Sequence, residues 1–417
     1  MTVFRFVHIA DVHLDTPFCC REDNLRKKLR QASMQALERS VDLVLSEGAH
    51  ALLIAGDLFD HERLSFASEL FLTQQFTRLR EAGIPVFYAT GNHDPSDGAI
   101  RGVIARWPDN MYLFGRQEPE TRPVFDHQGK IVGFVTGVGH QSATVADNLA
   151  AAFPVVAAEV PHVALMHAWV TGIEAGIGHE RYAPCGLADL QAKGYSYWAL
   201  GHVHSPQRVL QEPVACYAGN IQGRNPREPG QRGGYLVEVD HMGVVRQEFH
   251  PLGPFRWESL HITDLHEADS LDVLCKQVVN KFHREFSGSI GTNNVLLQVY
   301  LEGYCPLARE LAEEENRELL AHELIQALDL LHVEIKTMLS PVNIDWTQYA
   351  AGPNLLSTLF NLVEEAKENV ELLEQLAPAR LAAGAGKSRE ARIAYLQQLL
   401  HGLPQEAVAR MLLEEKL

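Results

Sequence analysis

The chain has 417 residues, enough for two or three domains with a buried core, and 46% of them are apolar, as in an ordinary globular protein. Its formal net charge of −17 argues against a protein that coats nucleic acid in general. No stretch approaches the roughly 20 apolar residues of a membrane helix, and Met1-Thr2-Val3-Phe4-Arg5 enters a strand without the layout of a signal peptide, so the cytoplasm is the expected location, with no membrane partner.

The charge is uneven. Residues 256–417 hold 14 Lys and Arg against 25 Asp and Glu, a balance of −11, which leaves −6 on the first 255. Several acids of that first part sit in metal-ligand patterns, so contacts to a phosphate backbone from local Arg and Lys stay open there. The cysteines, Cys19, Cys20, Cys185, Cys216, Cys275 and Cys305, form no CxxC pair and read as reduced structural thiols.

In chain order, Val3 to Ala10 is a buried strand, followed by a helix from Asn24 to Ser46 with Leu25, Leu29, Leu37, Val41, Val44 and Leu45 on its apolar face. Ala51 to Ala55 is a second strand, Ser65 to Glu81 a helix, and Pro85 to Thr90 a third strand. This alternation implies a parallel sheet, in which ligands bind beyond the carboxyl ends of the strands. Gly98 to Arg106 reads as a helix, and short strands flank the turn Asp126-His127-Gln128-Gly129, with Ile131 to Gly137 returning. Val163 to Met166 and Tyr197 to Leu200 are strands followed at once by histidine, and Val209 to His250 reads as antiparallel. One large domain on two sheets ends near Gly253-Pro254.

After Arg256 the pattern restarts: strand 257–262, helix 270–286, strand 294–302, helix 316–330 and strand 332–338. Beyond Ser340-Pro341 the chain is helical, with one amphipathic helix from Leu355 to Leu376, two more at Arg389 to Leu400 and Pro404 to Glu415, and a joint at Ala382 to Gly386. The expected domains are therefore 1–254, 255–340 and a tail 341–417. Gly384-Ala385-Gly386-Lys387-Ser388 is not a phosphate loop, since that pattern needs glycine where Leu381 stands and a strand before it.

Five clusters share one kind of chemistry. Asp11-Val12-His13, Gly56-Asp57-Leu58-Phe59-Asp60, Gly91-Asn92-His93-Asp94, Met166-His167 and Gly201-His202-Val203-His204 each follow an apolar run. Asp11 and His13, two apart, point the same way on an extended strand end. Each cluster alone has a plain alternative as a cap or turn. Together, carboxylates, imidazoles and a carboxamide at separate strand ends suit a two-metal hydrolytic site. His8 reads as packed in its strand, whereas His127, His140 and His179 lie in polar loops with no partner evident; Trp169, just after His167, reads as packed by default, with lining of the cleft as the alternative. Arg224 and Arg227, in a Gly- and Pro-containing loop, suit either a phosphate grip or a surface ion pair.

The order Asp-x-His, Gly-Asp-x-x-Asp, Gly-Asn-His-Asp, lone His, Gly-His-x-His is similar to that of the calcineurin-like metallophosphoesterase superfamily. Gly56 to Asp60 with Tyr197 to His204 resembles its SbcD-type branch of DNA repair exonucleases, and Tyr217 to Glu228 resembles the bacterial YhaO subgroup. The resemblance implies an α/β fold: a two-sheet αββα sandwich, then a small α/β capping domain and a helical C-terminal tail. It implies one divalent ion on Asp11, His13 and His204, another on Asn92, His167 and His202, and Asp57 bridging them. His93 would act on the scissile phosphate, with Asp94 orienting it. The metal implied is manganese, though iron or zinc also suits the donors. Ions roughly 3.5–4 Å apart would activate water, a hydroxide would attack the phosphodiester, and His93 would assist.

The partners implied are DNA, a second copy of the chain and an SMC-like ATPase of SbcC or YhaN type, for whose docking the apolar stripe Leu355, Leu356, Leu359, Phe360 and Leu362 is suited; the alternative is that this stripe packs on the chain's own small domain. Other functions compete: a phosphatase or small-molecule phosphodiesterase, and a non-catalytic scaffold. A protein phosphatase would carry Arg-Gly after the second Asp cluster and Glu after Gly-Asn-His, where this chain has His61-Glu62 and Asp94. A small-molecule phosphodiesterase would hardly need the long acidic tail. A non-catalytic scaffold would not need the intact ligand set.

Overall fold

The computed structural model describes residues 3–16, 23–60, 64–97, 107–156, 160–173, 180–286, 294–341, 355–377, 389–400 and 403. Several expectations fall outside them: Cys19, Cys20, His61, Glu62, His179, the helix at Gly98 to Arg106, the joint at Ala382 to Gly386, the Gly384 to Ser388 run and the helix at Pro404 to Glu415. The chain divides into two compact units, Met1–Arg256 and Trp257–Leu417.

In the first unit, β1 (Val3–Ile9), β2 (Ala51–Ala55), β3 (Val86–Ala89) and β4 (Met111–Phe114) run parallel as neighbours. β11 (Gly233–Asp240) pairs antiparallel with β1, and β12 (Val245–Pro251) completes a six-stranded sheet. The second sheet has the order β5-β6-β7-β8-β10-β9. Its strands are β5 (Glu120–Phe125), β6 (Ile131–Gly137), β7 (His162–His167), β8 (Tyr197–Gly201), β9 (Gln207–Leu210) and β10 (Val214–Tyr217).

Side-chain alternation in the strands makes the layers. In β1, Phe4 and Phe6 turn to the second sheet and meet Val135, Val163, Leu165 and Tyr197. Val7 and Ile9 turn the other way, toward α1 (Asp23–Ser46) and α2 (Phe66–Glu81), where they join Leu37, Val41, Leu72 and Phe76. On the outer face of the second sheet, Ala164, Met166, Trp198 and Leu200 pack with Leu149, Phe153 and Leu190. The result is the αββα arrangement.

Two sequence readings need correction here. β4 was not anticipated: Met111 to Phe114 are all apolar, but a run of four is too short to show a strand's alternation. The segment 209–250 is not wholly antiparallel, because β10 runs parallel to β8 while β9 is antiparallel to β10.

The second unit holds the three-stranded sheet β13 (Arg256–Ile262), β14 (Val295–Tyr304) and β15 (His332–Ser340), with β14 and β15 parallel. Leu274, Val278 and Phe282 of the helix Leu271–Glu285 and Leu320, Leu324 and Leu328 of the helix Glu314–Leu328 cover Leu297, Val299, Leu301 and Val333. The amphipathic helix expected from Leu355 to Leu376 is two helices, Leu355–Glu368 and Val370–Leu376. The break is at Asn369, whose side-chain oxygen accepts from the amides of Glu371 and Leu372, an N-cap that competes with helical continuation. A further helix spans Arg389–Leu400. No helix among the described residues is long and apolar enough to cross a membrane.

Candidate metal centre

The five clusters meet at one edge of the sandwich. β1, β2 and β3 end at Asp11, Asp57 and Asn92, and β7 and β8 end at His167, His202 and His204. Backbone bonds lock these ends together: the Asp11 amide donates to Gly56 O, the His13 amide to Asp57 O, and the Ala168 amide to Gly201 O. The His202 amide donates to both Asp11 carboxylate oxygens, at 3.1 and 3.2 Å. Gly201 is required because a Cβ there would stand 1.7 Å from Ala55 O.

Asp11 and His13 do not lie on an extended strand end as expected. Their φ angles are 50° and 48°, and Asp57 and His202 follow at 51° and 105°. Non-glycine residues in the left-handed region cost about 1–3 kcal/mol each and gather at functional sites. Here the turns aim each side chain into the same space.

Donor atoms of Asp11, His13 and His204 lie within 4.8 Å of one another, as do those of Asp11, Asp57 and His167, and of His13, Asp57 and His93. Asp57 stands between two imidazoles, with Oδ2 3.8 Å from His13 Nε2 and 3.4 Å from His167 Nε2. Asn92 Oδ1 is 3.0 Å from His167 Nε2 and 3.2 Å from His202 Nδ1.

The tautomers follow from the outward contacts. His13 Nδ1 faces Asp60 Oδ1 at 2.6 Å, His204 Nδ1 faces Glu228 Oε1 at 2.8 Å, His167 Nδ1 faces Ala55 O at 2.9 Å, and His202 Nε2 faces Glu180 O at 2.7 Å. Carboxylates and carbonyls only accept, so each of these nitrogens carries the proton. Each ring then turns a lone pair inward. His13 Nε2 meets His204 Nε2 at 3.2 Å, and His167 Nε2 meets His202 Nδ1 at 3.3 Å. Acceptor facing acceptor is repulsive unless a cation lies between, and metal-bound histidines are held from behind in this way.

Electrostatics agree. Burial and the neighbouring Asp57 charge push Asp11 well above the usual carboxylate range, and burial followed by the Asp94 charge takes Asp57 to about 7. Burial also holds His13 and His167 far below the usual imidazole range, in the neutral form that ligates metal. The donor set therefore fits a pair of divalent cations: Asp11, His13 and His204 on one side, Asn92, His167 and His202 on the other, Asp57 shared.

His93 differs from the ligand histidines. Its side chain is 45% exposed, and its Nδ1 bonds Asp60 Oδ1 at 2.9 Å. Burial opposes the charged ring, but the Asp60 bond and the Asp57 and Asp60 charges outweigh it and raise the pKa to about 9. Asp94 does not orient His93, contrary to the sequence reading. Its carboxylate turns back under the loops and accepts from the amides of Gly91 (2.6 Å), Leu58 (2.5 Å) and Asp57 (3.3 Å) and from the Tyr88 hydroxyl. It joins the Asp57 loop to the Asn92 loop.

Asp60, to which its sequence cluster assigns no role, is central to the site. It accepts from His13, His93 and the Thr16 hydroxyl, and these bonds hold its carboxyl well below the usual range despite burial. The only sequence signal was its three-residue spacing from Asp57. Glu228 and His140 were also missed. His140 does lie in a loop, after β6, but it is fully buried and partnered: its Nε2 donates to His167 O at 2.8 Å.

Arg224 reaches the site and pairs with Glu228 at 3.1 Å, with Nη1 3.7 Å from Asp60. Arg227, on the same loop, is exposed, and its amide bonds Asn225 Oδ1. Trp169 and Tyr182 set their ring edges against His202, each at 6.0 Å between centroids. His8 is packed, with Nδ1 3.0 Å from the Tyr197 hydroxyl, and His127 is exposed.

The profile of the calcineurin-like phosphoesterase family matches residues 4–206, the segment that supplies every ligand above. Over 350 residues the chain is 31% identical to the metallophosphoesterase YhaO of Bacillus subtilis (strain 168), covering 83% of this chain and 82% of that protein. The chain belongs to the calcineurin-like phosphoesterase family. It is a phosphoester hydrolase by that membership, with candidate ligands for the family's dinuclear metal site. It is also similar to the DNA double-strand break repair protein Mre11 of Methanopyrus kandleri, 29% identical over 268 residues, which span 59% of this chain and 56% of that protein. Among solved structures, a dimetal phosphatase from Danio rerio aligns over 57% of this chain and 93% of that one, with 14% identity and a TM-score of 0.36.

Proposed function

We propose that this phosphoesterase is a two-metal, manganese-dependent DNA nuclease, an exonuclease acting in DNA repair with an SMC-like ATPase. The observation that carries the metal-dependent part is the set of four imidazoles held from behind, whose lone pairs face one another in two pairs, His13 with His204 and His167 with His202, with Asp57 between His13 and His167. The DNA part is supported by the similarity to Mre11, a protein named for double-strand break repair, and by the SbcD-like motifs.

Two divalent cations, when bound, supply positive charge for the phosphoryl oxygens and make a nucleophile of water at neutral pH. The chain supplies the rest. Asp60 holds Nδ1 of His93, so Nε2 is the nitrogen that gives its proton to the leaving oxygen. Arg224, beside Asp60, grips a non-bridging phosphate oxygen, with Arg227 extending the grip along the strand. Residues 255–340 take the capping role and residues 341–417 the ATPase-docking role, in a cytoplasmic homodimer.

The test is manganese-dependent hydrolysis by the purified protein of linear duplex DNA, closed circular duplex DNA and a small aryl phosphodiester. His93→Ala serves as control. The expected result is degradation of linear DNA in preference to circles, lost in His93→Ala. Hydrolysis of the aryl diester alone, with DNA untouched even when the ATPase is added, contradicts the nuclease reading.

A further inference from the structure

The loop between β10 and β11 supplies no ligand to the proposed ions, yet one of its acids is buried at the site. Glu228 is 7% exposed. Its Oε2 accepts from Asn220 Nδ2 at 2.6 Å and from the Arg224 amide at 2.7 Å. Its Oε1 accepts from His204 Nδ1 at 2.8 Å and from the Arg224 guanidinium at 3.1 and 3.3 Å.

Arg224 Nη2 also stands 3.1 Å from His204 Nδ1. The two contacts to Nδ1 ask opposite things of it. Toward Glu228 it must carry a proton, whereas toward Arg224 it must offer a lone pair. The choice decides the far side of the ring. With the proton on Nδ1, Nε2 turns a lone pair toward His13 Nε2, 3.2 Å away. With the lone pair on Nδ1, Nε2 is an N–H and cannot ligate. The carboxylate contact is the shorter, and Glu228 also takes the Arg224 protons, so Arg224 has no need of Nδ1.

We propose that Glu228 is a positioning residue of the metal centre: it fixes His204 as the Nδ1–H tautomer and draws the Arg224 guanidinium off the imidazole, which keeps Nε2 a ligand. The proposal rests on the metal-dependent reading of the site. Its reach is one ion only, because the histidines of the other side are held by backbone carbonyls, His167 by Ala55 O and His202 by Glu180 O.

Glu228→Gln separates this role from scaffolding. The amide oxygen keeps the bonds to Asn220 and the Arg224 amide, while the NH2 group stands where Oε1 was. Two donors then face Nδ1, and the proton moves to Nε2. Long-range proton–nitrogen correlation on metal-free protein labelled with nitrogen-15 in histidine should show His204 as Nδ1–H in the native chain and Nε2–H in E228Q. Titration calorimetry with Mn2+ should show two ions in the native chain. In E228Q one ion should be unchanged and the other about 10–100-fold weaker, as for other residues that support metal ligands. E228A leaves Arg224 alone against Nδ1 and should weaken the same ion, whereas R224A/E228A should recover part of that loss.

An E228Q protein with His204 still Nδ1–H and two ions bound at native affinity overturns the proposal. So does a double variant weaker than E228A, which is the mark of a scaffold. A native chain that takes up no Mn2+ overturns the metal-dependent reading itself, and is seen before any variant is made.

Discussion

Replacing Asp60 by asparagine removes a charge and little volume. One oxygen of this buried carboxylate accepts from both His13 Nδ1 (2.6 Å) and His93 Nδ1 (2.9 Å). A carboxamide oxygen can keep both bonds, and the Thr16 hydroxyl can rotate to accept from the new NH2 group. The loss is the charge assistance, about 1 kcal/mol per bond, so the fold survives. The consequence for His93 is larger. Its pKa of about 9 depends on the Asp60 bond before the Asp57 charge, and bound cations take up the Asp57 charge. A raised imidazole is protonated below its folded pKa and loses the proton as pH rises through it. Without Asp60 the pKa falls toward the ordinary 6.5. At pH 8 the protonated fraction then drops by up to about thirty-fold, the ceiling set by the metal-free pKa, while at pH 6 it changes by less than about two-fold. The assay is the pH profile of kcat/KM for a small aryl phosphodiester with Mn2+ saturating. Asp60→Asn should move the basic limb down by up to about 2.5 pH units. An equal loss at pH 6 and pH 8, or no loss at pH 8, refutes a protonated His93 held by Asp60.

Three other outcomes follow from the same geometry. Asp57 is raised to about 7, so in the metal-free protein its ionisation costs stability above the ordinary carboxylate range; Asp57→Asn should therefore melt higher than the native chain in EDTA at pH 8 and lower with Mn2+ saturating, and a native melting temperature indifferent to EDTA would sink the argument. Burial lowers His8 to about 3, so between pH 6.5 and 3 the unfolded chain binds a proton that the folded one refuses; urea denaturation in EDTA should show a stability slope flatter by about 1.4 kcal/mol per pH unit in His8→Gln, and an unchanged slope would mean the ring titrates when folded. Gly201→Ala places a Cβ 1.7 Å from Ala55 O and 2.9 Å from His167 Nδ1, and should cost about 1–3 kcal/mol or more in urea denaturation while weakening Mn2+ binding, whereas native values for both would show that the strand ends can part freely.

The candidate ligands were legible because each follows a buried strand and has the chemistry of a metal donor. Their directions were not. Consecutive residues on a turn point apart, so the Asp94 next to His93 in sequence serves the backbone of Gly91 and Leu58, while Asp60, 33 positions earlier, reaches the ring. Asp11 and His13 converge through left-handed turns that no residue pattern announces, since neither is glycine. Glu228 lies 24 positions after His204 on an irregular loop, where no periodicity operates. The strands and helices of 3–89 were read within a residue or two because apolar alternation and capping set them. β4 is four apolar residues, too short a run to show alternation. Asn369 is a helix cap inside an unbroken amphipathic pattern, and the pattern hid it.

The central claim is a pair of divalent cations on these side chains. Crystals grown with saturating Mn2+ and measured at the manganese absorption edge test it most directly. Two anomalous peaks are expected, one among Asp11, His13 and His204 and one among Asn92, His167 and His202, with Asp57 touching both. A single peak, or none among these residues, contradicts the account.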